Sequence, residues 1–130
     1  MVHVAPPGWP ADVRPPDAPD WERTAVGWLL DQCPPEYRGH AVLRRHPVAL
    51  ARLAGWHVDA CRASARHGLT QARTALRDAL PADVVEATIA VLLAEEARLA
   101  GVERAVGLVE AALRGRRFPA RMPGLGSRHE

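Results

Sequence analysis

From residue 47 onward the apolar residues recur every three or four positions, which is the spacing of a helix that buries one face. Between Pro47 and about Ala79 only Gly55 and Gly68 interrupt this pattern. Proline suits the first position of a helix because its missing N–H is not needed there. The pattern therefore predicts one long helix over residues 47–79.

A second long helix is predicted from Ala82 or Asp83 to Arg114. Gly115 follows it and is a natural residue to end it, because glycine readily adopts the left-handed conformation found at helix C-termini. The apolar stripe of this helix keeps a spacing of three and four and is interrupted only at Glu96. The members of the stripe are Val85, Ile89, Leu92, Leu99, Val102, Val106, Val109 and Leu113.

The turn at residues 80–82 predicts that these two helices pack as an antiparallel hairpin. The numbers of facing residues should then sum to about 161, which places Gly55 beside Val106 and Arg66 beside Glu95. The facing stripe of the first long helix is rich in small residues, which lets two helix backbones approach closely. This stripe consists of Val48, Ala51, Gly55, Val58, Ala65, Leu69, Ala72, Leu76 and Ala79, with Arg62 as the exception.

The N-terminal third predicts shorter elements. Asp20 is a candidate N-cap, and an amphipathic helix should follow as far as about Gln32. A short helical piece is expected over residues 36–45. Six of the twelve prolines lie in residues 1–19. Because proline fixes φ and lacks an N–H, this segment predicts an extended arm, which Trp9 would anchor on the body.

The sequence thus predicts an all-α protein, since no strand-like alternation occurs in it. It consists of a proline-rich arm (1–19), a single helical domain (20–114) with one or two short helices before a long antiparallel hairpin, and a basic tail (115–130). The apolar fraction is 48% and the charged fraction is 25%. Both values are typical of globular domains. The longest uncharged stretch is too short to cross a bilayer, and two cysteines favour a reducing cytoplasm.

Charge is unevenly placed although the net charge is only +2, and all 17 basic residues are arginine. Residues 46–80 carry five Arg against two Asp, residues 81–113 carry two Arg against six acids, and residues 114–130 carry five Arg against one Glu. Neighbouring segments of opposite sign favour a hairpin that pairs with itself. The basic tail is the one unbalanced patch.

Three candidate sites follow from residue types. Cys33, His57 and Cys61 are candidate metal ligands, because His57 and Cys61 are four residues apart on one helix face. Arg114, Arg116, Arg117 and Arg121 form an Arg-rich tail that would suit the minor groove or another nucleic acid. Trp9, Trp21, Trp28 and Trp56 either form core or serve as anchors for a protein partner.

The strings Pro7-Gly8-Trp9-Pro10, Trp21-Glu22-Arg23-Thr24-Ala25-Val26-Gly27-Trp28 and Cys33-Pro34-Pro35-Glu36-Tyr37-Arg38 resemble small uncharacterised helical proteins of high-GC actinobacterial genomes. The resemblance covers most of the chain and carries no motif of known activity. It implies a bacterial, cytoplasmic source.

The function expected from these observations is a non-enzymatic module for protein binding or homo-oligomerisation, with no cofactor and no small-molecule substrate. A nucleic-acid accessory factor using the tail and a small metal- or thiol-dependent enzyme are the alternatives. The N-terminal helix can cover only the hairpin end that holds Pro47 and Val109. The turn end, around Leu69–Val91, is therefore expected to be an exposed apolar patch that forms a homodimer.

Overall fold

The structure is a computed structural model that describes residues 4–115. Within that range it is all-helical, as predicted, and contains no strand. Its elements are α1 (Trp21–Asp31), a 3₁₀ turn (Pro35–Gly39), α2 (Ala41–Arg45), α3 (Pro47–Leu76) and α4 (Ala82–Leu113). The two long helices pack against each other as a hairpin, and α1 packs mainly on α3.

Local signals set the ends of the long helices. Pro47 occupies the first turn of α3, and Gly115 follows α4 with a φ of 86°, both as predicted. The first long helix ends at Leu76, three residues earlier than expected. Arg77 keeps a helical backbone, and the chain then turns, with the N–H groups of Ala79 and Leu80 both donating to the carbonyl of Leu76.

The hairpin register agrees with the predicted sum. A Cβ built on Gly55 would lie 3.7 Å from a methyl of Val106, and one built on Gly68 would lie 3.0 Å from Leu92. Both glycines of α3 therefore mark points where a side chain of α4 comes close to the backbone. Arg66 pairs with Glu96, one residue beyond the Glu95 that was expected.

Two apolar clusters lie along the hairpin. We call the end near Pro47 and Leu113 the base half and the end near residues 77–81 the turn half. In the base half α1 and the N-terminal segment complete a cluster whose fully buried side chains include Leu29, Leu50, Val106 and Val109. The cluster of the turn half contains the buried residues Ala72, Val85 and Ile89, with Leu69, Leu76 and Leu92 packed around them.

The described part of the N-terminal arm is not extended, which corrects the expectation for residues 1–19. Backbone N–H groups close one turn after another: Trp9 donates to Pro6 at 3.1 Å, Val13 to Pro10 at 3.2 Å, Ala18 to Pro15 at 3.0 Å and Trp21 to Ala18 at 3.1 Å. Proline suits such turns because its fixed φ matches their second position. Val13 and Ala18 are buried, so this segment belongs to the folded body.

Two further expectations for the N-terminal third are corrected. Asp20 has a left-handed backbone (φ 62°) and its side chain makes no capping hydrogen bond to α1. Instead Thr24 accepts a hydrogen bond from the N–H of Arg14 at 3.0 Å and donates one to the carbonyl of Trp21 at 2.8 Å. The helical piece at 36–45 is two elements, because the backbone is extended at His40.

Candidate functional site

On one side of the hairpin, arginines of α3 form ion pairs with glutamates of α4. Arg62, the exception in the α3 stripe, donates from Nε to Glu96, the interruption in the α4 stripe, at 2.8 Å. Its second donor reaches Glu103 at 2.7 Å. In the turn half Arg73 makes two hydrogen bonds of 2.8 Å to Glu86. The opposite charges of the two segments therefore meet across the hairpin.

These contacts lower the pKa values of the carboxylates and so favour their charged form. The hydrogen bond from Arg62, ahead of the one from Arg66, holds the pKa of Glu96 below its ordinary value. The hydrogen bonds from Arg73 lower the pKa of Glu86 in the same way. Each glutamate is thus fixed in its charged form by an arginine of the other helix. This is the arrangement of a structural ion pair and leaves neither glutamate poised to exchange a proton near neutrality.

Glu110 is a buried charge that the sequence did not reveal. It is 8% exposed and is the one buried charged residue among residues 4–115. Arg52 of α3 approaches one carboxylate oxygen at 3.1 Å, and Arg114 donates to the other at 2.9 Å. An open cleft of about 300 Å³ lies beside the three side chains. The sequence did contain a signal for this contact, since the predicted hairpin register places Arg52 opposite Glu110.

This network bears on the proposed nucleic-acid residues. Arg114 is held by Glu110, four residues earlier in the chain. Arg116, Arg117 and Arg121 lie outside the described residues. Arg114 is therefore placed as a partner of a buried glutamate at the C-terminal end of α4.

The structure brings two of the three candidate metal ligands together. Cys61 Sγ lies 3.5 Å from His57 Nε2 on α3. Cys33 is in the base cluster, where burial raises the pKa of its thiol. Within residues 4–115 no group of three or more His, Cys, Asp or Glu side chains is placed to hold a metal ion.

The four tryptophans divide by burial. Trp21 is buried, and Trp9 packs against it with ring centroids 6.1 Å apart. The Trp9 indole N–H donates to the carbonyl of Val13 at 2.9 Å, and Trp28 packs against the base cluster. Trp56 differs, since it is 61% exposed, with the Arg52 guanidinium 5.6 Å from its ring centroid. Of the four, Trp56 alone presents most of its side chain to solvent.

A second apolar stripe runs along α4, on the side of the helix away from α3. Its positions follow the spacing of three and four from Val84 to Ala112, and Arg98 interrupts it in the middle. In the base half the N-terminal elements cover it: Ala105 and Ala112 are buried, and Leu108 lies next to Gly8 of the arm. In the turn half the same stripe lies open. We call this part the uncovered face, and it consists of Val84, Ala87, Val91 and Ala94.

The exposures on the uncovered face are large for valine. Val91 is 67% exposed and Val84 is 40% exposed. Ile89, two residues before Val91, is buried in the turn cluster together with Ala72 of α3. Because two residues turn an α-helix by roughly half a turn, Val91 points away from α3. The uncovered face is therefore an apolar strip that the hairpin itself does not cover.

Comparison of the chain with known protein families, curated proteins and solved structures found no match. Among the described residues, no helix combines the length and the apolar character that crossing a membrane requires.

Proposed function

We propose that the protein is a non-enzymatic protein–protein interaction module whose docking surface is the uncovered face. One observation carries the proposal: a single apolar stripe of α4 is buried by the chain's own N-terminal elements over one half of its length and is open over the other half. Ala112 is buried in the base cluster that includes Val13 of the N-terminal segment, whereas Val91 and Val84, at the equivalent positions three and four heptads earlier, are exposed.

The energetics favour a helix as the occupant. Burying apolar surface contributes roughly 25 cal/mol per Å², so an open strip of valine and alanine is stabilised when a partner covers it. In the base half the chain supplies such a cover itself. The cover consists of α1 and the turn-rich N-terminal segment, and it buries small side chains of α4. A partner for the turn half should present a similar apolar helix face.

The remaining alternatives have less support. Arg114 is engaged by Glu110, so the nucleic-acid alternative depends on Arg116, Arg117 and Arg121, outside the described residues. The enzyme alternative depends on His57 and Cys61, which lack a third candidate ligand among residues 4–115. As part of the same proposal, we infer a location in a bacterial cytoplasm, which the resemblance noted above and the two free cysteines support.

Site-specific photo-crosslinking in the cells that make the protein tests this function. A photoreactive amino acid is placed at Val91 in one variant and at Leu93 in the other. Leu93 is a matched control because it is 56% exposed and only two residues away. Its side chain nevertheless points to the opposite side of α4. We expect a discrete heavier product from position 91 and none from position 93.

Equal products at both positions would mean that α4 is contacted without preference for the uncovered face. No product at position 91 would mean that the face has no protein partner. Either result rejects the proposed function.

A further inference from the structure

We propose that Cys61 is a reactive thiol and a site of reversible modification by low-molecular-weight disulfides, with His57 as the base that accepts the thiol proton. The proposal concerns the side of the hairpin where His57 and Cys61 of α3 lie near Arg98 of α4. It is independent of the uncovered face and of any partner that binds there. It is carried by the contact between sulfur and imidazole, by the nearby cation and by the partial exposure of the thiol.

The sulfur of Cys61 lies against the imidazole of His57. Sγ and Nε2 are 3.5 Å apart, which is within hydrogen-bond reach for a thiol. Both residues are on α3, one turn apart, so the helix itself holds the pair in this geometry. With Nε2 unprotonated, the thiol donates to it. The imidazole is then in place to accept the proton when the sulfur attacks, which is the arrangement of a nucleophile and its base.

A cation of the facing helix is close to the same sulfur. Arg98 makes hydrogen bonds of 2.9 and 2.8 Å to Glu95 of its own helix. The pKa of its guanidinium is raised, first by those hydrogen bonds and also by the charge of the Cys61 thiolate. Arg98 and Cys61 therefore interact electrostatically across the hairpin. A positive charge near a thiol favours the thiolate, which is the nucleophilic form.

The second cysteine of the chain lacks the accessibility of the first. Cys33 is buried in the base cluster, where burial raises the pKa of its thiol although Arg38 acts in the opposite direction. Cys61 is only half-buried, so part of its surface is open to a small reagent. A nearby arginine is thus common to both cysteines, whereas partial exposure and the contact with an imidazole distinguish Cys61. Cys33 is the internal control for every measurement below.

The reaction is a thiol–disulfide exchange. The Cys61 proton passes from Sγ to Nε2 of His57 as Sγ attacks one sulfur of a disulfide R–S–S–R. A bond between Sγ and that sulfur forms, the S–S bond of the reagent breaks, and the second half leaves as a thiolate that takes the proton back from His57. Cys61 is oxidised and the departing thiol is reduced, so the disulfide is the one oxidant required. A low-molecular-weight thiol reverses the step.

The rate of the native chain against that of the unfolded chain tests whether the structure activates Cys61. The full chain is mixed with dithiobis(nitrobenzoic acid) at about pH 7, and the coloured thiolate that it releases is followed. EDTA is present so that no metal ion competes for the pair. One cysteine should react faster than either does in urea, because an unfolded thiol has no base beside it. Cys61→Ser should remove this fast phase, and Cys33→Ala should keep it.

His57→Gln tests the base. Glutamine keeps a polar group at that position but accepts no proton near neutrality, so the fast phase should slow by about tenfold or more. His67→Gln is the matched control, because His67 is an exposed histidine further along the same helix, and it should leave the rate unchanged. Well above the ordinary thiol pKa of about 8.5 any thiol is ionised, and His57→Gln should react as fast as the wild type. Far-UV circular dichroism verifies that each variant is folded.

Oxidised glutathione tests the modification itself. Intact mass spectrometry should find one glutathionyl group per chain, digestion should place it on Cys61, and dithiothreitol should remove it. A glutathionyl group on Cys33 instead overturns the proposal. So does a native Cys61 that reacts no faster than in urea, or a His57→Gln variant with the wild-type rate at neutral pH. A His57→Gln rate that stays low in alkali assigns the imidazole to packing and rejects its role as a base.

Discussion

The base half and the turn half of the hairpin are built from the same two helices but are stabilised differently. In the base half fourteen buried residues form one cluster, because α1 and the N-terminal turns add a third layer to α3 and α4. In the turn half three buried residues form the cluster, and only α3 and α4 contribute to it. The difference shows that the N-terminal third determines which part of the second α4 stripe is left open.

The ion pairs between the helices do not follow this division. Arg52 with Glu110 lies in the base half, Arg62 with Glu96 in the middle and Arg73 with Glu86 in the turn half. They fix the register along the whole hairpin, and their sums of residue numbers stay near the predicted value. The register is therefore common to both halves, whereas the amount of apolar burial is not.

The largest expected effect comes from cavities in the two clusters. Leu50 is fully buried in the base cluster. Leu50→Ala should therefore lower the free energy of unfolding by about 3–5 kcal/mol. Ile89→Ala in the turn cluster should lower it by only about 2 kcal/mol, since fewer neighbours surround the lost methyl groups. Urea unfolding at low protein concentration measures both. Equal losses would contradict the difference between the halves.

A smaller effect is expected where the N-terminal turns meet the second stripe. Gly8 has a φ of 88°, and a Cβ there would lie 3.4 Å from Leu108. Gly8→Ala should therefore lower the free energy of unfolding by about 1 kcal/mol, because alanine is strained at positive φ.

The matched control for that variant is Gly27→Ala in α1, where no atom lies within 4 Å of the added Cβ. It should raise the free energy of unfolding by about 0.5–1 kcal/mol, since alanine is the better helix former. Thermal unfolding of the two variants in parallel gives both values. A stabilising Gly8→Ala would mean that the turn is not needed to cover the base half.

The smallest effect is expected from acid. The pKa of Glu86 is lowered in the folded chain by its hydrogen bonds to Arg73, so its ion pair stabilises the fold above the ordinary carboxylate pKa of 4.5. That contribution should be lost as the pH falls below 4.5 and through the lower pKa of the folded state. The pair is exposed to solvent, so the loss should be slight. Unfolding as a function of pH should show a shallower acid decline for Glu86→Gln, and identical acid profiles would contradict the pairing.

Local signals in the sequence were sufficient for the fold class and most helix boundaries. Pro47 and Gly115 act on their own backbone, so their effect needs no knowledge of distant residues. The hairpin register followed from one turn and the spacing of apolar residues. The extended arm was wrong, because proline is equally suited to tight turns and the choice between them depends on what Val13 and Ala18 bury.

The candidate site was only partly predictable for the same reason. The open turn end was expected from the number of apolar residues and the length of the N-terminal helix. The burial of Glu110 and the exposure of Trp56 were not, because each depends on how closely other elements pack around the side chain, although the register already placed Arg52 opposite Glu110.

By itself, the sequence of this protein determined where helices begin and end and which residues of each helix are apolar, because both are properties of short segments. The tertiary structure decided where the second apolar stripe of α4 is covered. That decision needed the N-terminal third to fold onto the base half, and the length of α1 limits how far the cover extends. The uncovered face is the result of that limit.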